Sequence, residues 1–158
     1  TVDMEMLGDA VHAFLAVDKV SWIMSRREEM AIKILRNWKI DALTEQSLIE
    51  ASNRLWSFLE ITYGKDCKYH REWPINLKEN QQKARGWIDL LIETPMGYVV
   101  IDHKSFPGSE SQCDARALEY AAQLAIYRKA IEKATGRSVV ATMIHLPITG
   151  RILDISTT

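Results

Sequence analysis

Apolar residues in the first part of the chain recur at intervals of three and four positions, which is the period of an amphipathic α-helix. This pattern predicts one helix from Met4 to Asp18, a second from Arg26 to Trp38 and a third from Thr44 to about Tyr63. Thr44 is the expected N-cap of the third helix, because a threonine hydroxyl accepts a hydrogen bond from an amide of the first turn. Residues 1–64 are therefore predicted to be mainly helical.

The pattern changes to that of β-strands after residue 64. The segment from Lys65 to Asn76 has strand character, and residues 77–83 are predicted to form a polar loop. Two apolar runs, Trp87 to Ile92 and Tyr98 to Ile101, flank the sequence Thr-Pro-Met-Gly. β-branched and aromatic residues on either side of a Pro/Gly turn are typical of a β-hairpin.

A long helical pattern follows from Asp114 to Thr135, and Gly136 supplies its C-terminal stop. Residues 105–112 before it are rich in turn formers, as in loops that become ordered over a substrate. Strands are predicted from Ser138 to Leu146 and from Arg151 to Ile155. These strands complete a mixed β-sheet in the part of the chain from residue 65 to residue 158.

Composition favours one domain of 158 residues with an ordinary core. The 20 basic and 21 acidic residues leave a net charge of -1, so any phosphate contact must come from a local patch. One such patch surrounds Arg26 and Arg27, and it is either a solvated helix face or part of a DNA path. The chain starts abruptly in helix-like sequence, which we interpret as a piece of a longer polypeptide.

Cysteine content and hydropathy bear on location and cofactors. Cys67 and Cys113 fit neither a zinc nor an iron–sulfur spacing, so reduced thiols are expected. No apolar run approaches the roughly 20 residues that span a bilayer, and the first residues do not have the pattern of a secretory leader. We therefore predict a cytoplasmic protein that makes no use of a membrane.

An acid interrupts each apolar strand of the predicted hairpin. Side-chain alternation in the second strand puts Asp102 and Lys104 on one face, and Asp89 reaches that face if the hairpin pairs in simple register. Two carboxylates in such a place repel each other unless a cation lies between them. An isolated Asp-x-Lys is more often an exposed strand edge with a weak ion pair, so the surrounding sequence must decide.

The order of these residues resembles the PD-(D/E)xK nuclease superfamily, whose signature is an acid on one strand and an acid-x-Lys on the next. Asp89 in GWIDLLI supplies the first acid, and Asp102-His103-Lys104 in VVIDHKS supplies the second element. The resemblance implies an α/β fold of the restriction-endonuclease type. Its mixed β-sheet core is flanked by helices and preceded by an N-terminal helical segment.

Further motifs resemble the RecB and AddA branch of this superfamily. Gly8 and His12 fit a G-x-x-x-H helix, whose histidine helps to bind the metal in that branch, although His12 alone would be taken for a packed or surface histidine. Glu72 in REWPI stands where the branch has a Glu-x-Pro strand, so it is expected near the site. Whether Glu72 binds metal or orients its neighbours is left open.

The last motif is Q-x-x-x-Y on the long helix, formed by Gln123 and Tyr127, with Tyr120 one turn before Gln123. In isolation the pair is equally well explained by packing beside the core. The resemblance implies that these side chains hold the hairpin and the loop or contact the DNA backbone.

The resemblance also implies a mechanism. Asp89 and Asp102, with His12 and the backbone carbonyl of His103, would hold Mg²⁺. Mn²⁺ can substitute because an imidazole ligand suits a softer ion. Lys104 would orient or deprotonate the attacking water or stabilise developing charge. His103 stands where a tyrosine is common, and no iron–sulfur cluster is expected.

The function implied is a metal-dependent DNA nuclease, the exonuclease module of an ATP-dependent helicase-nuclease in double-strand break repair and recombination. Its partners would be DNA, a helicase domain of the same parent chain and a second subunit. One alternative is a free-standing phage or CRISPR-associated exonuclease of the same fold. Another is a non-catalytic DNA-binding or scaffold domain, which the presence of His12, Asp89, Asp102 and Lys104 disfavours.

Overall fold

A computed structural model describes residues 3–105 and 110–156 of the chain. Within these residues, no helix is long and apolar enough to cross a membrane. The elements follow in the order α1 (Met4–Val17), α2 (Met24–Asn37), α3 (Glu45–Tyr63), β1 (Lys68–Glu79), β2 (Gln82–Thr94), β3 (Gly97–His103), α4 (Glu110–Thr135), β4 (Val139–Leu146) and β5 (Arg151–Asp154).

The described residues divide into two compact units. The helical unit contains the chain up to Gly64 together with residues 104–105 and 146–151. The sheet unit contains residues 65–103, 110–145 and 152–156. The first boundary coincides with the end of α3, while the single-domain organisation inferred from chain length stays a prediction.

The helical unit begins with three helices close to the predicted positions. Asp3 caps α1 by accepting the amide N–H groups of Glu5 and Met6. Thr44 caps α3 by accepting the N–H of Ser47 at 3.1 Å, as predicted. Each cap satisfies amides that have no partner inside the first turn of the helix.

Arg27 corrects one interpretation of the sequence, since it belongs neither to a solvated helix face nor to a DNA path. Its side chain is buried and donates two hydrogen bonds to Asp18, at 3.0 and 2.8 Å. Ser52 donates to the same carboxylate at 2.6 Å, and Asn53 accepts a further bond from Arg27. This buried network joins the end of α1 to α2 and α3.

The sheet unit contains five strands in the order β1-β2-β3-β4-β5. The β1–β2 and β2–β3 pairs are antiparallel, and β3 and β4 are parallel. Because parallel neighbours need a long connection, α4 provides the crossover between β3 and β4. This arrangement confirms the predicted α/β class with a mixed sheet.

The β2–β3 hairpin closes at the predicted turn, where Thr94 pairs with Gly97. Gly97 has φ of +141°, and a Cβ added there would lie 2.5 Å from the carbonyl oxygen of Ser138. Only glycine combines that backbone conformation with so close an approach.

The predicted polar loop at residues 77–83 is wrong, because β1 and β2 continue through it and pair up to the turn. The turn consists of Asn80 and Gln81 alone, with φ of +48° and +67°, as a two-residue hairpin turn requires. Leu77 is buried while its neighbours in sequence are exposed, which is the alternation of a strand with one covered face.

Two other boundaries in the sheet unit differ from the sequence interpretation. α4 begins at Glu110 rather than Asp114, so the predicted loop is shorter than eight residues. Its middle part, residues 106–109, lies outside the described residues. The ordering of that loop over a substrate therefore stays a prediction.

The two faces of β2 have different roles. A Cβ at Gly86 would lie 3.4 Å from the Tyr127 hydroxyl, which places the face of Gly86 against α4. Alternation puts Ile88 and Leu90 on this covered face and Asp89 on the opposite one. We call the opposite face, to which Asp89 points, the acid face of the sheet.

Candidate active site

Asp89 and Asp102 are neighbours across the β2–β3 pair. The register includes Leu90 opposite Ile101, so one further step places Asp89 opposite Asp102. Directly opposed residues of an antiparallel pair project to the same face, with Cβ atoms about 5 Å apart. Both side chains are nearly inaccessible, at 5% and 4% exposure. The two carboxyl groups therefore share a buried place on the acid face.

A backbone amide orients the first of these acids. The N–H of His103 donates to Oδ2 of Asp89 at 2.7 Å. Amide hydrogen bonds to a carboxylate are short and strong, so this contact fixes the rotation of the Asp89 side chain. The residue that follows Asp102 thus positions the acid on the neighbouring strand.

Glu72 adds a third acid on the next strand. It lies between the pairs Arg71–Leu90 and Trp73–Ile88, so the register puts it opposite Asp89. A carboxylate oxygen of Glu72 lies within 4.8 Å of one of Asp89. Glu72, Asp89 and Asp102 therefore form a row across three adjacent strands.

The backbone at Glu72 is strained, with φ of +52°. A non-glycine residue in this left-handed region costs about 1–2 kcal/mol, and such residues cluster at functional sites. The donor set also has a clear chemical preference. Carboxylate oxygens are hard ligands of the kind that Mg²⁺ and Mn²⁺ prefer, so the row fits a divalent cation.

Lys104 follows the row directly in sequence. β3 ends at His103, so strand alternation does not determine the direction of the Lys104 side chain, as the sequence interpretation assumed. The lysine is half-buried.

The His103 side chain contacts a residue that the sequence analysis did not single out. Its Nδ1 lies 2.9 Å from Nδ1 of His145, its register partner on β4, and the rings meet edge to face. Both side chains are buried. One Nδ1 must carry a hydrogen while the other accepts it, so the two rings adopt different tautomers. A polar residue within the apolar strand VVATMIHL was the available signal for His145.

Gln123 and Tyr127 are brought together on α4. The amide of Gln123 donates to the Tyr127 hydroxyl at 2.8 Å, and Tyr127 packs against Gly86 of β2. This contact is on the face opposite Asp89, so the pair supports β2 from behind. Tyr120 lies two turns before Tyr127 on the same helix and is half-buried.

Gly8 and His12 lie one turn apart on α1 in the helical unit. A Cβ at Gly8 would collide with the side chain of Ser105, which belongs to the same unit and follows Lys104 in sequence. The glycine is therefore required by the close approach of this segment. His12 is half-buried.

Comparison with known proteins shows what the chain is similar to. The family model of the PD-(D/E)XK nuclease superfamily matches residues 2–154. The large subunit-type relative from Thermoanaerobacter sp. (strain X514), an ATP-dependent helicase/nuclease, is 29% identical over 85 residues, which is 54% of this chain and 7% of the relative. Another ATP-dependent helicase/nuclease, from Alkaliphilus oremlandii (strain OhILAs), is 34% identical over 68 residues, 43% of this chain and 6% of the relative. The matched segments thus span less than a tenth of these relatives.

Proposed function

The chain belongs to the PD-(D/E)XK nuclease superfamily, and from this membership we propose that it is a divalent-metal-dependent deoxyribonuclease. The observation that carries the proposal is the row of Glu72, Asp89 and Asp102 on adjacent strands. Three acids side by side on a buried face are unfavourable in a purely structural role, because like charges repel and burial disfavours ionisation. Binding a cation removes both penalties.

Asp89 and Asp102 would be the main metal ligands in this proposal, with Glu72 beside them. The His103 carbonyl is a further candidate, because the N–H and C=O of a strand residue face the same neighbour and the N–H of His103 faces Asp89. Mg²⁺ is the expected ion, and Mn²⁺ can replace it where an imidazole also binds.

His12 would supply that imidazole. The support is indirect and comes from the family motif together with the contact between Gly8 and Ser105. The contact brings one turn of α1 against the residue next to Lys104, and His12 is on the following turn of the same helix.

Hydrolysis of a phosphodiester needs an activated water and neutralisation of the charge that develops on phosphate. A divalent cation supplies Lewis acidity and lowers the pKa of a water. The chain supplies the remainder: the His103 amide holds Asp89 in place, and Lys104 orients or deprotonates the water or stabilises developing charge. Gln123 and Tyr127 keep β2 in position.

The biological setting is proposed from the relatives, whose names describe them as subunits of an ATP-dependent helicase/nuclease. We propose that the chain is the exonuclease module of such an enzyme in DNA double-strand break repair and recombination in the cytoplasm. Its partners would then be DNA, a helicase domain of the same parent chain and a second subunit.

Cleavage by residues 1–158 alone is expected to be weak and sensitive to salt, because the chain as a whole has no excess of positive charge. A motor that threads DNA past the site would raise its local concentration into roughly the millimolar range. Intrinsic affinity for DNA would then matter little.

The test is cleavage of end-labelled single- and double-stranded DNA by the chain in Mg²⁺, in Mn²⁺ and in EDTA, with and without the helicase part of a parent enzyme. We expect cleavage only with a metal and much faster cleavage with the motor. No cleavage in either metal, with or without the motor, would refute the nuclease proposal. Equal rates with and without the motor would instead favour a free-standing nuclease.

A further inference from the structure

The acid face continues well beyond Asp89 along the paired strands β1 and β2. Both strands run to the turn at Asn80 and Gln81, and their register is regular over this whole end. Alternation assigns every second residue to the face of Asp89. These positions are Trp87, Arg85 and Lys83 on β2 and their partners Pro74, Asn76 and Lys78 on β1.

This end of the acid face is open to solvent and positively charged. All six side chains are exposed, and the Trp87 side chain is 60% exposed. Three of the six are cations and none is an acid, although the complete chain has a net charge of -1. The acids of the candidate active site therefore give way, on the same two strands, to a basic and aromatic surface.

The register also places Lys78 directly opposite Lys83. Like charges in directly opposed positions of a sheet destabilise the pairing. An anion bound between the two ammonium groups would remove this repulsion. The arrangement is therefore better explained by phosphate binding than by stability of the hairpin.

We propose that this surface, which we call the strand track (Trp87, Arg85, Lys83, Asn76 and Lys78), binds single-stranded DNA that leads to the active site. A base would stack on Trp87, and the phosphates beyond it would contact Arg85, Lys83 and Lys78. The assignment of the track to substrate delivery rests on the proposed nuclease function. Binding itself requires only the track.

The single-stranded form follows from the chemistry of the track. An exposed indole offers a flat stacking surface that an unpaired base can use, whereas a base inside a duplex is already stacked on both sides. From Asp89 to Lys83 the strand extends by about 20 Å. At about 3.4 Å per stacked nucleotide, this length accommodates roughly six nucleotides.

Binding is tested in EDTA, where the metal site takes no part and no DNA is cut. The probe is a fluorescein-labelled thymidine 12-mer, with a duplex of equal length for comparison, and anisotropy is measured from low to moderate salt. The variants are Trp87→Ala, Trp87→Phe and the pair Lys83→Gln with Arg85→Gln. Lys129→Gln is the matched control, since this exposed lysine on α4 pairs with Glu79, whose position in β1 faces α4.

Trp87→Ala is expected to weaken binding of the 12-mer about 5- to 100-fold, while Trp87→Phe keeps most of the affinity because it keeps a ring. The Lys83/Arg85 double variant should lower the slope of log K against log salt by about 1.4, or 0.7 per lost phosphate contact. Lys129→Gln should change neither quantity. Circular dichroism establishes that each variant is folded, and all four side chains are exposed.

Three outcomes would overturn the strand track: wild-type protein that does not bind the 12-mer at low salt, Trp87→Ala that binds normally, or Lys129→Gln that weakens binding as much as the double variant. Failure of the nuclease proposal is a separate result. A chain that binds single strands through the track but never cuts DNA in Mg²⁺ or Mn²⁺ refutes the nuclease activity and leaves the track intact. A chain that cuts DNA equally well in all variants refutes the track alone.

Discussion

Buried charge occurs in both units of the protein, in opposite forms. In the helical unit, Asp18 and Arg27 form a two-bonded ion pair, and Ser52 completes the hydrogen bonds of the carboxylate. In the sheet unit, Glu72 stands opposite Asp89, and Asp89 opposite Asp102, so that acid faces acid. The helical cluster contains its own counter-charge, whereas the row of acids repeats one sign.

This difference separates a structural role from a catalytic one. A closed ion pair with satisfied hydrogen bonds links helices, and nothing is gained if another ion enters. A row of carboxyl groups gains free energy when a cation binds, because the mutual repulsion and the desolvation of charge are both relieved. Removing one acid should therefore affect stability in the helical unit and activity in the sheet unit.

The largest effect is expected for Asp102→Ala, which should lower the rate of DNA cleavage by about 1,000-fold or more, since metal catalysis is worth several kcal/mol. The fold should survive, because the substitution removes a repulsive group from the row. Cleavage of end-labelled DNA in Mg²⁺ and the thermal midpoint measure the two quantities. Activity retained in Mg²⁺ would contradict the role of Asp102.

Asp18→Ala should have the reverse profile. It leaves the Arg27 guanidinium buried beside a lost carboxylate, which costs about 3–5 kcal/mol of unfolding free energy. Urea denaturation measures this loss. The double variant Asp18→Leu with Arg27→Met is the control and should recover most of the stability, because apolar residues of similar volume can replace a buried pair. A double variant as unstable as Asp18→Ala would show that the network matters for another reason.

Metal binding should stabilise the wild-type protein without affecting the ion pair. At 100 times its dissociation constant, Mg²⁺ or Mn²⁺ should add about 2.7 kcal/mol to the free energy of unfolding. The increment should disappear in Asp102→Ala and persist in the Asp18→Leu/Arg27→Met variant. Thermal denaturation with and without metal measures it, and an equal increment in Asp102→Ala would place the cation elsewhere.

The smallest effect is expected for Gly8→Ala, which tests whether α1 contributes to the site. The added Cβ must push Ser105 aside, while alanine improves helix propensity by about 1 kcal/mol, so the net change in stability should be below about 1 kcal/mol. Displacement of the segment after Lys104 should nonetheless lower cleavage about 10-fold. Ser105→Gly in the same chain should restore the rate. Failure of this rescue would dissociate α1 from catalysis.

Much of the fold could be predicted from the sequence because the decisive signals are local. Helical spacing located α1 to α3, and Thr44 marked the start of α3. Alternation and the Thr-Pro-Met-Gly turn located the β2–β3 hairpin, and its register follows directly from the turn. The same parity assigned Asp89 and Asp102 to one face before any tertiary contact was known.

What the sequence could not determine is which polar side chains are buried and which are exposed. Arg27 was interpreted as a surface residue because its partners Asp18 and Ser52 are 9 and 25 positions away and meet it only when three helices pack. Residues 77–83 were interpreted as a loop because one face of the ribbon is solvated, and only the pairing of β1 with β2 shows it to be strand. Local spacing determines the direction of a side chain relative to its own backbone. What that side chain meets depends on the packing of distant segments, and this determines whether its charge stabilises the fold or binds a ligand.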